Sequence, residues 1–246
     1  MAQCLQNTSL QCLDYEAAEA KLRHAREEAR LGCRAAEAVG DADGVARWSD
    51  ALRTALSSFK EFRESLSREE LLCIHGERIL ATYHSDASGL HRLTVPGGVS
   101  DLEALQALNA CYVNVFPAST RGIISDRYLT WFADQKDVCA RKVSESREIA
   151  IHLDVPDTCS VDRTTQQAVL LSKNLVFADP IEQMLIAAAH ACTRDLGLPF
   201  PYLYLRGSDP GVALRRDRIE GFILVAVPDA LGKGVSIAAS GRPAAA

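Results

Sequence analysis

Two stretches near the N-terminus carry apolar residues at alternating spacings of three and four. The first is Tyr15, Ala18, Leu22, Ala25, Ala29, Gly32, Ala36 and Val39, and the second is Val45, Trp48, Leu52, Ala55, Phe59, Phe62 and Leu66. Each spacing describes a heptad seam on one face of a helix. Between them Gly40-Asp41-Ala42-Asp43-Gly44 supplies a stop, a turn and a fresh N-cap. So short a turn predicts an antiparallel helical hairpin over residues 1–66. The seams match in size, nearly all Ala and Gly on one side and Trp and Phe on the other, so the axes can approach closely and still fill the space. Leu56 lies beside the second seam and widens its apolar face. A hairpin with one shared seam has little core of its own, which makes Trp48, Leu56, Phe59 and Phe62 the candidates for an interface with the following domain, another copy or a partner.

The pattern after Ser67 changes to short apolar runs separated by breakers, over residues 67–240. Ser67-Arg68-Glu69-Glu70 has capping-box spacing, but Leu71–His75 and Arg78–Tyr83 flank Gly76-Glu77, and a β-hairpin is the favoured reading, with helix as the alternative. Leu90–Val95 reads as a strand, Ser100 or Asp101 as the cap of a helix to Ala110, and Cys111–Phe116 as a strand. A loop over Pro117–Gly122 leads to a helix from Ser125 to about Val143. A strand over Ile149–Val155 and a helix from Ser160 to about Asn174 follow. The clearest helix starts at Asp179-Pro180, where Asp179 caps, Pro180 suits the first turn and Glu182 can close a box. Ile181, Met184, Leu185, Ala188, Ala191 and Cys192 continue it, and the apolar runs Tyr202–Leu205 and Phe222–Val227 follow as strands. The alternation predicts an α/β (or α+β) domain, a mixed β-sheet flanked by helices with parallel neighbours. Residues 241–246 read as a disordered tail.

Composition narrows this picture. With 48% hydrophobic and 24% charged residues the chain is globular. A net charge of -5 without a basic stripe argues against nucleic acid as a partner. No membrane-spanning run or signal peptide is expected, which makes the cytoplasm the default location. The eight cysteines are scattered and contain no CxxC pair, so most of them read as small buried hydrophobes.

Three places carry candidate chemistry. Ser119, Thr120, Arg121 and Gly122 lie between a predicted strand and helix, where hydroxyls, backbone N–H groups and a guanidinium suit a small anionic ligand. The loop lacks the second glycine of an acetyltransferase pyrophosphate loop and the Gly-Lys-Ser/Thr of a Walker loop. His152 and Asp154 alternate onto one strand face, where they could serve as an acid–base pair or, with Asp157, as metal ligands. Cys159 near a helix N-terminus is a candidate nucleophile with His152 or His190 as its base. His75, His84 and His91 read as surface or hairpin residues.

No cofactor is named by these patterns. The leading expectation is a cytoplasmic interaction or adaptor protein. Its hairpin mediates self-association or binds a protein partner, and its α/β domain binds a small anion. The alternative is a hydrolase or transferase using His152, Asp154 and Asp157, with or without a metal.

Overall fold

The computed structural model describes residues 2–115, 123–125, 127, 129–130, 145–153, 155–193, 204–208, 212–217, 221–226, 235–237 and 239–241. The chain divides into two compact units, Met1–Ile74 and His75–Ala246.

The first unit holds the expected hairpin. Helix α1 spans Ala2–Ala38 and α2 spans Ala42–Ser65. Gly40, at φ +70°, makes the turn in a conformation that other residues resist. Asp41 then caps α2, its carboxylate accepting from the Gly44 N–H at 2.9 Å. On α1 the buried residues Tyr15, Leu22, Ala29 and Ala36 recur every seventh position. Across the seam, a methyl group at Gly32 would sit 2.2 Å from the Trp48 indole, so the ring rests directly on the bare backbone. Tyr15 meets Phe59 edge-on at 5.7 Å and lies 6.2 Å from Phe62. Trp48, Phe59 and Phe62 are only half-buried, because two helices cover a seam from one side alone. Val39, expected at the end of the seam, is exposed at the turn.

The predicted β-hairpin at Leu71–Tyr83 is a helix, α3, over Arg68–Thr82. The Ser67 capping box closes on it: the Ser67 N–H donates to Glu70 Oε2 at 2.7 Å, and the Glu70 N–H donates to Ser67 Oγ at 3.2 Å. Gly76 serves packing rather than a turn. A methyl there would lie 2.4 Å from Cys111 Sγ and 2.6 Å from the Ala107 carbonyl oxygen, so the glycine lets α3 press against α4.

Helix α4 runs over Asp101–Val115, capped by a reciprocal box between Ser100 and Glu103. It absorbs the described part of the strand predicted at Cys111–Phe116. Cys111 and Tyr112 continue the buried face of Ala104, Leu105 and Leu108 at helical spacing. A first sheet contains β1 (His84–Ser85), β2 (Leu90–Val95), β3 (Arg147–His152), β4 (Leu175–Phe177) and β9 (Ala239–Gly241), ordered β1-β2-β3-β9-β4. Its pairs are all antiparallel. A second sheet contains β5 (Tyr204–Arg206), β6 (Val212–Asp217), β7 (Gly221–Ala226) and β8 (Val235–Ile237), ordered β7-β6-β5-β8. Only β5 and β8 pair in parallel, so the expected parallel neighbours reduce to one pair among the described strands.

Helix α5 spans Arg163–Ser172, and its cap is Asp162 rather than Ser160. The Thr165 N–H donates to Asp162 Oδ1 at 2.8 Å, and this bond, reinforced by the Thr165 hydroxyl, holds the carboxyl below its ordinary range. Ser160 instead adopts φ +61° in the preceding turn. Helix α6, Pro180–Thr193, is capped by Asp179 as expected, through the Ile181 N–H at 2.7 Å. The Glu182 N–H reaches Asp179 Oδ1 at 3.4 Å, one half of the expected box, and the Glu182 carboxylate accepts from Arg147 Nη1 at 3.2 Å, while Arg147 also pairs with Asp101. Ile181 and all of Gln183–Cys192 are buried. That all-round burial follows from the Ala-rich, apolar sequence. The helix is packed by α4, by β2 and β3 of the first sheet and by β6 and β7 of the second.

Candidate functional site

The predicted site residues scatter. Ser119, Thr120, Arg121 and Gly122 lie outside the described residues, and so does Asp154. His152 ends β3, half-buried and paired with Leu90 and Ala239. Asp86 senses it weakly: the Ser88 hydroxyl is the main cause of that carboxyl's depressed pKa, with backbone N–H groups and His152 adding less. Asp157 is exposed in a turn at φ +71°. Cys159 is half-buried in the same turn with its Sγ 3.4 Å from Ser160 Oγ, and the cap at Asp162 puts it ahead of the helix N-terminus. Among the described residues, no group of three His, Cys, Asp or Glu side chains could hold a metal ion.

The second unit gathers instead Tyr83 and His91, which the sequence reading set aside, with His190, which it offered as a base for Cys159. Tyr83 leaves the end of α3, His91 stands on β2 and His190 on α6. The Tyr83 hydroxyl lies 2.9 Å from His91 Nδ1 and 2.8 Å from His190 Nδ1. The imidazoles meet edge-on at 5.6 Å, and the phenol stacks on His91. Both histidines are buried, His91 against its expected place on the surface or in a hairpin. A phenol oxygen carries one proton and two acceptor lone pairs, so it can donate to one imidazole and accept from the other. Such an arrangement can pass a proton between two imidazoles. A signal existed in the sequence: His91 alternates in phase with Leu93 and Val95, the inward face of β2.

A further buried polar group surrounds Arg206, whose Nη1 donates to Gln166 Oε1 at 3.3 Å. Gln166 donates in turn to the Thr158 carbonyl at 2.9 Å, and Gln183 to the Ala178 carbonyl at 3.0 Å. Arg163 sits 4.3 Å over the Phe177 ring and donates to the Ser208 carbonyl at 3.0 Å. The Arg206–Gln166 and Arg163–Ser208 bonds join α5 to β5 and the residues that follow it, and read as an internal strut.

In the first unit a groove of about 780 Å³ opens beside the hairpin seam. Leu22, Leu56, Phe59, Leu66 and Leu71 supply its apolar lining. Arg26, Lys60, Arg63 and Arg68 stand around it, against Glu64 as the one carboxylate. Leu56 is 40% exposed, a large apolar side chain left facing water. Phe59 takes part both in the seam and in this lining, so the same heptad that closes the hairpin also builds the groove.

None of the described helices is long and apolar enough to cross a membrane. Compared with protein families, curated proteins and solved structures, the chain matches none significantly.

Proposed function

We propose that this chain is an interaction protein whose helical hairpin binds a protein partner or a second copy. One observation carries the reading: an apolar groove edged by charge lies beside a seam that buries little, with Leu56 exposed in its wall. Apolar surface left in a concave, charge-rimmed setting is the usual mark of a binding surface. The second unit has its own core.

Site-specific photo-crosslinking in the full chain tests this. A photoreactive residue at position 56 should capture one defined species, either a partner or the chain itself. The same residue at position 53 is the control, because Arg53 is exposed and bonded to Asp50 within its own helix. Equal, diffuse labelling at both positions would sink the proposal.

A further inference from the structure

Resting on that reading, we infer that the groove takes an amphipathic helix of a partner whose polar face is acidic. Length and charge both point there. From Leu56 to Glu64 the α2 wall runs about 12 Å, two helical turns. Anchors at i, i+4 and i+7 of an incoming helix span about the same distance. Apolar anchors would meet Leu56, Phe59 and Leu71, and the flanking positions would meet Arg26, Lys60 and Arg63. Glu64 partly offsets Lys60, at 3.7 Å. Arg26 and Arg63 add cationic edges on the two facing helices, in a chain whose net charge is -5.

The same charges weigh against a second copy docking groove to groove. A two-fold interface is built from the same patch on both copies, so the four cations and single carboxylate of one lining would face an identical set. Like charges placed across an interface oppose that pairing, whereas carboxylates opposite them speed and orient docking.

The experiment uses the full chain and a pair of synthetic helical peptides of about 18 residues. Both carry Leu at i, i+4 and i+7; one has Glu at the flanking positions and its twin has Lys. Fluorescence anisotropy should detect the Glu peptide, with affinity falling as salt rises. Arg26→Glu with Arg63→Glu should weaken it about tenfold, and Arg26→Gln with Arg63→Gln less. Both variants are checked for an unchanged helical circular dichroism spectrum. The Lys twin should not bind. Equal binding of the twins, or indifference to charge reversal, overturns the inference. If neither peptide binds while position 56 crosslinks to a defined species, the acidic-helix inference falls and the interaction reading stands. If both signals are absent, both fall.

Discussion

The two units solve the burial problem in opposite ways. In the hairpin, one line of contacts does the packing: Tyr15, Leu22, Ala29 and Ala36 are buried, while the aromatic side chains opposite stay half in water. In the second unit, α6 is surrounded, with β2 and β3 of one sheet, β6 and β7 of the other and α4 all packed against it. A surrounded helix can relieve strain only by disturbing several neighbours at once. A seam open on one side can let a side chain slide outward. The hairpin should therefore tolerate change and remain available to partners, whereas the second unit should be rigid and intolerant.

The largest test sets one substitution against itself in the two units. Gly76 and Gly32 both sit inside helices at a close approach, and Ala at either gains about 1 kcal/mol of helix propensity. At Gly76 the new methyl meets the Ala107 carbonyl, backbone that cannot step aside, at 2.6 Å. Overpacking of this kind costs about 1–3 kcal/mol or more, and Gly76→Ala should lose about 2 kcal/mol net. At Gly32 the three atoms nearest the methyl all belong to the half-exposed Trp48 ring, a side chain rather than backbone. Gly32→Ala should change stability by less than about 1 kcal/mol. Urea unfolding of both variants decides it; equal losses would erase the contrast between the units.

A smaller effect is expected at the centre of the second unit. Tyr83→Phe removes the hydroxyl that lies within bonding distance of both His91 and His190. Withdrawing it should cost about 1 kcal/mol, the low end for buried groups that lose a bond, because the phenol itself is half-buried. The imidazole 15N shifts of both histidines should move together in the variant. A loss under about half a kcal/mol, with shifts unchanged, would mean that the phenol does not join them.

What could be read from the chain follows the same division. In the hairpin each helix answers chiefly to the other, so contact and pattern coincide; Gly32 against Trp48 was legible as small against large. Helix α6 was legible from Asp179-Pro180 and its apolar run. Gly76 misled because a glycine between short apolar runs signals a turn as readily as a close helix approach, and only the placement of Cys111 and Ala107 separates the two. Cys111 and Tyr112 suit a strand by type and a helix by phase, and both are buried in phase with Ala104, Leu105 and Leu108 on α4. The Tyr83–His190 contact bridges 107 positions, a distance at which local spacing carries no information. The candidates at Ser119–Gly122 and Asp154 lie outside the described residues.

The finest probe of the contrast uses thiols. Burial pushes the Cys192 thiol up to about 12, and its Sγ lies 3.4 Å from the Leu108 carbonyl oxygen in the α4–α6 contact. Cys33 is half-buried on the hairpin, 3.9 Å from the Val45 carbonyl oxygen. In folded protein, a thiol reagent at neutral pH should label Cys33 well before Cys192. The Cys192 shift also sets a direction with pH. An unfolded chain releases this proton near pH 8.5, whereas the folded chain keeps it to about 12. Over that window the unfolded state binds fewer protons, so stability falls as pH rises. Urea midpoints measured from neutral into alkaline pH should decline in the wild type and decline less in Cys192→Ala, each compared with its own neutral value. If the two slopes are the same, or if Cys192 labels as fast as Cys33, the surrounded helix opens as readily as the hairpin and the difference between the two units is one of shape rather than rigidity.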